Sequence, residues 1–259
     1  MSFAPTVLLA AFAGGTIFLG LPVGRLRTLS PNAQALLTAS AGGVILFLIY
    51  DVLAQAVAPA GTALDAARQG AALRPFLLDG AVLAGSVGLG LLSVTYATTR
   101  LRARAGGPSL SRQLALGTAV GLGLHNFSEG LAIGQSSATG AISLALLLVV
   151  GFALHNATEG FGIAAPLASG ERPGWGFLGL LGLIGGGPTF LGGVVGYALV
   201  APLISIAFLG LAAGALVFVF NEMMAVVRRF SLPMTAASAL LLGLLVGFGT
   251  DFLLTAAGV

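Results

Sequence analysis

The sequence predicts an all-α membrane protein with eight transmembrane helices and both termini outside the cytoplasm. Of its 259 residues, 57% are hydrophobic and only 7% are charged, and the mean hydropathy is +1.05. An average soluble domain has about 25% charged residues, so this composition suits lipid as the outer solvent. The apolar residues form long runs, separated by Arg, Pro and polar clusters, and each run is close to the ~20 residues that a bilayer requires.

The eight runs are expected to form one transmembrane domain over residues 1–259. No basic region precedes the first run, which is therefore interpreted as a transmembrane helix and not as a cleaved leader. Residues 58–75 contain Asp65, Arg68, Gln69 and Arg74, and because they are too polar to span they are expected to form an outward loop, in which a short surface helix could form. The predicted spans lie near 6–24, 33–57, 76–98, 113–136, 140–168, 176–199, 202–227 and 234–257.

The arginines predict the orientation of the chain. Nine of the eleven basic residues lie in the connections after odd-numbered spans and two in the others. Because positive loops stay in the cytoplasm, both termini should face away from it, in a multi-pass protein of the inner (plasma) membrane. This placement also explains the pI near 10.2 without a nucleic-acid partner. The many glycines allow close helix packing or a homodimer, and the sequence does not separate the two.

The only two histidines lie in a repeated pattern, His-Asn-x-x-Glu-Gly, in the fourth and fifth predicted spans. Helix positions four apart lie on one face about 6 Å apart, so the His and Glu of each motif can reach a common ion, with Asn beside them. A turn near Gly140 lies midway between the motifs and would bring both to a similar depth. The candidate metal ligands are His125, Asn126, Glu129, His155, Asn156 and Glu159.

The ligand types limit the class of metal. The chain has no Cys, so imidazole, carboxylate and amide groups would hold a borderline divalent ion such as zinc, iron(II) or manganese(II). Carboxylates within a bilayer are costly and usually serve transport or proton transfer. The alternative is that each His and Glu only bond one another to tie helices together. Duplication of the motif on adjacent spans, with both histidines used, favours the metal site.

The paired motif resembles that of the ZIP family of divalent metal transporters. Members have eight spans, with His-Asn-x-x-Glu-Gly in the fourth and His-Asn-x-Pro-Glu-Gly in the fifth. The seventh span adds an Ala-Ala-Gly-Ala run, at 212–215, that leads to Asn221 and Glu222. The resemblance implies a ZIP-like bundle that moves a divalent cation into the cytoplasm, with the six ligands as the transport site. The metal, zinc first and iron, manganese or cadmium as alternatives, is then a substrate and not a resident cofactor.

The resemblance also implies roles outside the two motifs. Glu222 and Asp51 would lie on the uptake or release path, although a helix-to-helix hydrogen bond explains Asp51 and Asn221 equally well. Thr158 replaces the Pro of the fifth-span motif. Thr189 aligns with an acid of the sixth span in many relatives, and without that acid a single bound ion is expected.

Two other functions fit part of the pattern. An intramembrane metal-dependent hydrolase could use Glu129 or Glu159 as the base for a metal-activated water, but the sequence has no His-Glu-x-x-His motif. A proton-coupled transporter of organic solutes explains the carboxylates but not the paired His-Asn. No ATP-binding loop is present in the sequence, so transport would draw on a gradient or on the ion's own electrochemical potential.

Overall fold

The computed structural model describes residues 1–26, 30–102, 109–169, 172–199 and 201–256, without the side chains of 101, 102, 147, 155, 169, 250 and 253–255. Within these ranges the chain is all helical and has no strand, as the sequence predicted. Short 3-10 helices follow α1, at Thr16–Leu19 and Leu21–Arg25, and α5, at Ala165–Ser169. The α-helices are α1 Phe3–Gly15, α2 Pro31–Arg68, α3 Arg74–Arg102, α4 Leu110–Ala138, α5 Ile142–Ala164, α6 Trp175–Ala198, α7 Pro202–Arg228 and α8 Pro233–Ala256.

In the described residues, six helical segments are long and apolar enough to cross a membrane. The helix α4 is long enough but is not one of the six, and the His, Asn and Glu of its motif lower its hydropathy. In α8, the apolar stretch whose side chains are all described is Pro233–Gly249. The six segments are Phe3–Arg25, Pro31–Arg68, Arg74–Arg100, Ile142–Ala168, Trp175–Ala198 and Pro202–Arg228.

The first apolar segment leaves α-helical geometry halfway along its length. After Gly15 it continues as two 3-10 helices, and Pro22, which has no amide hydrogen, lies in the second of them. The Thr16 hydroxyl contacts the carbonyl oxygens of Ala13, at 2.8 Å, and of Ala153 on α5, at 2.6 Å. These contacts hold the irregular segment against α5.

Most of the predicted outward loop at 58–75 is helical, and this helix is a continuation of α2 and not a separate short one. The helix α2 runs on through Pro59 to Arg68, because residues 58–68 are rich in Ala, the best helix former. Asp65 and Arg68 form an exposed ion pair with Nη1 and Oδ1 3.2 Å apart, and Gly70, at φ +99°, follows the end of the helix. With 38 residues α2 is about 57 Å long and exceeds a hydrocarbon core of about 30 Å. Only residues 69–73 separate α2 from α3.

The helices pack as two groups. The first group is α1, α4, α5 and α6, and the second is α2, α3, α7 and α8, with α4 against α7 as the largest contact between them. Within the first group, a Cβ at Gly192 would overlap the Phe127 carbonyl, and one at Gly186 would overlap the Gly14 carbonyl. The prediction that Gly-rich stretches allow close helix approach is confirmed at these positions.

Candidate metal centre

A tight turn brings the two motifs side by side. Gly140 has φ +83°, the left-handed region that favours glycine, and the Ala141 amide donates to the Ser136 carbonyl at 2.9 Å. The turn that the sequence predicted near Gly140 is therefore confirmed, and α5 returns along α4.

The motif side chains that the structure describes are buried, each at most 3% exposed: His125, Asn126, Glu129, Asn156 and Glu159. The Asn126 amide Nδ2 donates to Glu159 Oε2 at 2.8 Å, so the two motifs are joined directly. His155 lies on α5, but its imidazole is outside the described side chains, and so is the prediction that it joins this group.

Charge is concentrated where the motifs meet. His125 Nε2 lies 3.4 Å from Glu129 Oε1, as the spacing of four residues predicted. Glu129 and Glu159 repel each other, and both interact electrostatically with His125. Buried like charges are costly unless an opposite charge balances them. A cation bound between these two carboxylates would therefore stabilise the arrangement.

The amide groups of the two asparagines are oriented by backbone carbonyls of neighbouring helices. Asn126 Nδ2 also contacts the Gly185 oxygen on α6, and Asn156 Nδ2 donates to the Ala13 oxygen on α1, each at 3.0 Å. Within the described residues, both Oδ1 atoms are buried and accept no hydrogen bond. Amide oxygens can coordinate cations, so these two are candidate ligand atoms.

The glycines that end the motifs let other segments reach the site. A Cβ at Gly130 would overlap the carbonyl of Thr189 on α6, and a Cβ at Gly160 would overlap the carbonyl of Ile17. Thr158 causes no break, since α5 is α-helical from Ile142 to Ala164. The glycines of the motif therefore allow close helix packing, whereas its His, Asn and Glu are the candidate ligands.

Thr189 lies beside the motif on α4. It is fully buried, its backbone packs on Gly130, and its hydroxyl lies close to Gly14 of α1. In the described part of the chain its Oγ1 has no hydrogen-bond partner. Position 189 thus has a neutral hydroxyl and adds no charge to the site.

Of the residues predicted outside the motifs, Asp51 is close to the site. It is half-buried on α2, accepts a hydrogen bond from Gln55 at 2.8 Å, and interacts electrostatically with His125 and Glu159. Asp51 also interacts with Asp251 on α8, a residue to which the sequence assigned no role. The sequence feature that could have pointed to Asp251 is that its carboxylate lies inside a predicted span.

Asn221 and Glu222 lie farther along the bundle. Gly121 faces Ala215, and Gly117 faces Val219, so α4 and α7 run antiparallel and Glu222 is level with Leu114. This level is about 17 Å from that of His125, from the rise of 1.5 Å per residue. Glu222 is half-buried and Asn221 is exposed. The structure does not bring these two residues to the motifs.

Some parts of the site carry no signal in the sequence. The carbonyl oxygens of Ala13 and Gly185, which orient the asparagines, belong to residues with no polar side chain. Among the described side chains, which do not include His155, no three His, Asp or Glu residues form a metal-binding group. Comparison of the chain with protein-family models and with curated protein sequences finds no match.

Proposed function

We propose that this protein is a transporter of the ZIP type that moves divalent metal cations, zinc first, into the cytoplasm. The observation that carries the proposal is the buried polar cluster in which Asn126 of α4 binds Glu159 of α5, beside the His125 and Glu129 pair. Burying a polar cluster of this kind inside an apolar bundle costs free energy, and such residues usually serve transport. Binding of a transported cation accounts for their presence here.

The ligand set supports one bound zinc-like ion. Imidazole, carboxylate and amide oxygen together suit zinc, iron(II) and manganese(II). A second ion beside the first would need further negative charge, and the neutral Thr189 on α6 does not supply it. The proposed transport site is His125, Asn126, Glu129, His155, Asn156 and Glu159, with Asp51 on the path to it.

Transport requires that the site open to each side of the membrane in turn. We propose that the helix group α1, α4, α5 and α6, which carries the motifs, moves against the group α2, α3, α7 and α8. The driving force is the ion's own electrochemical potential. A membrane potential of 100 mV favours inward movement by about 2.3 kcal/mol per charge, and a divalent ion gains about twice that.

The proposed setting is the inner (plasma) membrane, crossed eight times, with both termini outside the cytoplasm. Support comes from the arginines, nine of which lie in the connections after odd-numbered spans. In this orientation the connection between α2 and α3 is outside, together with the end of α2 that extends beyond a bilayer.

Uptake into proteoliposomes tests the transport function. Liposomes loaded with a zinc-sensitive dye are made with wild-type protein, with His125→Ala and with Glu159→Gln. Asp65→Asn is the matched control, because it removes an exposed carboxylate that pairs with Arg68 on the surface. Wild type and the control should take up zinc, and each site variant should lower the rate by about tenfold or more.

Three outcomes would count against the proposal. If zinc, iron, manganese and cadmium all enter no faster than into empty liposomes, the protein does not transport them. Zinc binding without uptake would favour the metal-dependent hydrolase. A stoichiometry of two ions per chain at saturation would contradict the single-ion site.

A further inference from the structure

A cleft separates α3 from α4. Both helices pack on α7, α3 through Gly90 against the Leu211 backbone and α4 through Gly121 against Ala215, but they scarcely contact each other. The space between them is a cavity of about 310 Å³, within the range of small-molecule sites. It is distinct from the motif residues, none of which lines it.

The lining of the cleft is almost entirely apolar. The hydroxyl of Ser93 donates to the Gly90 carbonyl at 3.2 Å, and that of Thr98 to the Val94 carbonyl at 2.7 Å. These hydroxyls are therefore engaged within their own helix and leave carbon atoms facing the cavity. The lining is completed by Val94, Ala97, Gln113, Leu116, Gly117 and Val120.

The cleft is open on the side that faces lipid in the proposed bundle. Val120 is 42% exposed, and Ala97 and Ser93 are exposed as well. Water gains few hydrogen bonds in such a space, and an empty gap loses dispersion contacts along its walls. A hydrocarbon chain needs no hydrogen bonds and would restore the dispersion contacts of the walls.

Two arginines lie at the end of the cleft nearest the connection between α3 and α4. Ser86 faces Gly210 and Leu91 faces Gly214, so α3 runs parallel to α7, and α4 runs antiparallel to α7. The helices α3 and α4 are therefore antiparallel, and Arg100 is at about the level of Arg112. The Arg100 guanidinium lies 5.1 Å from the Tyr96 ring centre, and that of Arg112 lies 5.4 Å from the Phe177 ring centre. Among the described residues, neither arginine has an ion pair.

We propose that this cleft binds an anionic phospholipid, with one acyl chain between α3 and α4 and the phosphate between Arg100 and Arg112. A guanidinium stacked on an aromatic ring keeps its N–H edge available, and that edge fits a phosphate. The connection is on the predicted cytoplasmic side, where anionic lipids give a membrane its negative surface potential.

Charge also favours a lipid over a second copy of the chain as the occupant of the cleft. A two-fold contact through this cleft would bring the Arg100 and Arg112 of both copies to one level. The four arginines would repel one another there, whereas the negative charge of one phosphate offsets part of the positive charge of two of them. The lipid site does not depend on the transport function, although a lipid here would bridge the two helix groups.

Native mass spectrometry of the detergent-solubilised protein tests the site. The probes are dioleoyl-phosphatidylglycerol and dioleoyl-phosphatidylcholine, which share their acyl chains. Phosphatidylglycerol should bind more tightly, by about fivefold for each arginine contact. The double variant Arg100→Gln/Arg112→Gln should remove this preference, whereas Ala97→Trp should weaken both lipids by filling the cleft.

Matched controls separate the site from general effects of charge and bulk. Arg74→Gln/Arg228→Gln removes two exposed arginines elsewhere, and Leu89→Trp adds a ring at an exposed position of α3 outside the lining. Both should bind as wild type does. If Ala97→Trp does not fold, Ser93→Leu fills the cleft with less bulk.

Equal affinity for the two lipids, or binding that the arginine double variant leaves unchanged, would overturn the proposal. A dimer that Ala97→Trp breaks and that excludes phosphatidylglycerol would assign the cleft to a second copy. Tighter phosphatidylglycerol binding that is lost in both cleft variants and kept in both controls would establish the lipid site.

Discussion

Asn126 links three helices with one amide group. Its Nδ2 contacts Glu159 on α5 and the Gly185 oxygen on α6, while its Oδ1 stays buried and open within the described residues. The spacing of the motif placed Asn126 beside His125 and Glu129 on α4. The sequence did not reveal that its donor side orients a carboxylate of the other motif, because this depends on the register of α4 against α5.

The Asn126→Leu variant tests this link. Leu has the same branched shape as Asn but cannot donate, so Glu159 and the Gly185 carbonyl each lose a buried hydrogen bond. The metal-free protein should lose about 1–3 kcal/mol of stability, measured as a lower midpoint of thermal unfolding in detergent. The control Asn221→Leu changes an exposed Asn on α7 and should have little effect. Equal effects of the two variants would contradict the assigned role.

The glycine of the first motif is tested by Gly130→Ala. The added Cβ would overlap the Thr189 carbonyl, so α6 must move away, at a cost of about 1–3 kcal/mol. On the same helix, a Cβ at Gly117 meets Val219 Cγ2 at 3.4 Å, an ordinary contact. Thermal unfolding should therefore distinguish Gly130→Ala from Gly117→Ala, and a neutral Gly130→Ala would show that α4 and α6 are less closely packed.

At the scale of elements, α2 shows how a polar segment can be misread. Asp65, Arg68 and Gln69 suggested a loop because polarity excludes a membrane span. Polarity does not exclude a helix in water, however, and the Ala-rich residues before Arg68 extend α2. Hydropathy indicates which part of a helix can lie in the membrane, whereas helix propensity determines how far the helix continues beyond it.

A pair of glycine substitutions tests the extension of α2. A Cβ at Gly61 meets no atom within 4 Å, so Gly61→Ala should stabilise the helix by about 0.5–1 kcal/mol. Gly70 has φ +99°, which Ala adopts only with strain, so Gly70→Ala should destabilise the protein. Thermal unfolding measures both. If residues 58–68 formed the loop first expected, Gly61→Ala would have no stabilising effect.

At the scale of the whole molecule, the contact between α4 and α7 joins the two helix groups. A Cβ at Gly121 would lie 3.3 Å from the Ala215 Cβ, close enough for a disulfide after a small shift. The chain has no native Cys, so added pairs react without competition. If the groups move during transport, oxidation of Gly121→Cys/Ala215→Cys should block zinc uptake, and reduction should restore it.

The control for this disulfide lies within one group. A Cβ at Gly24 would lie 3.4 Å from the Ala164 Cβ, and both residues belong to segments that pack with α1, α4, α5 and α6. Oxidation of Gly24→Cys/Ala164→Cys should leave uptake intact. Uptake that persists with the α4 to α7 disulfide fully formed would argue against movement between the groups.

Single cysteines test the orientation of the chain. Ser2 and Arg228 are both exposed, and they lie on opposite sides of the membrane in the proposed topology. In intact cells, a membrane-impermeant maleimide should label Ser2→Cys, and it should label Arg228→Cys only after the membrane is opened. The reverse pattern would show that the chain has the opposite orientation in the membrane. Labelling of both cysteines in intact cells would rule out the eight-span arrangement.

The sequence by itself determined that this is a chain of long apolar helices, where most of those helices lie, and that two copies of one polar motif face each other across a turn at Gly140. Composition, hydropathy and residue spacing are local properties, and they are enough for these conclusions. Only the tertiary structure decided that the Ala13 and Gly185 carbonyls orient the asparagines, that Glu222 lies about three turns from the site, and that a cleft separates α3 from α4. These features depend on the register and separation of helices far apart in the sequence, which the packing of the whole bundle sets.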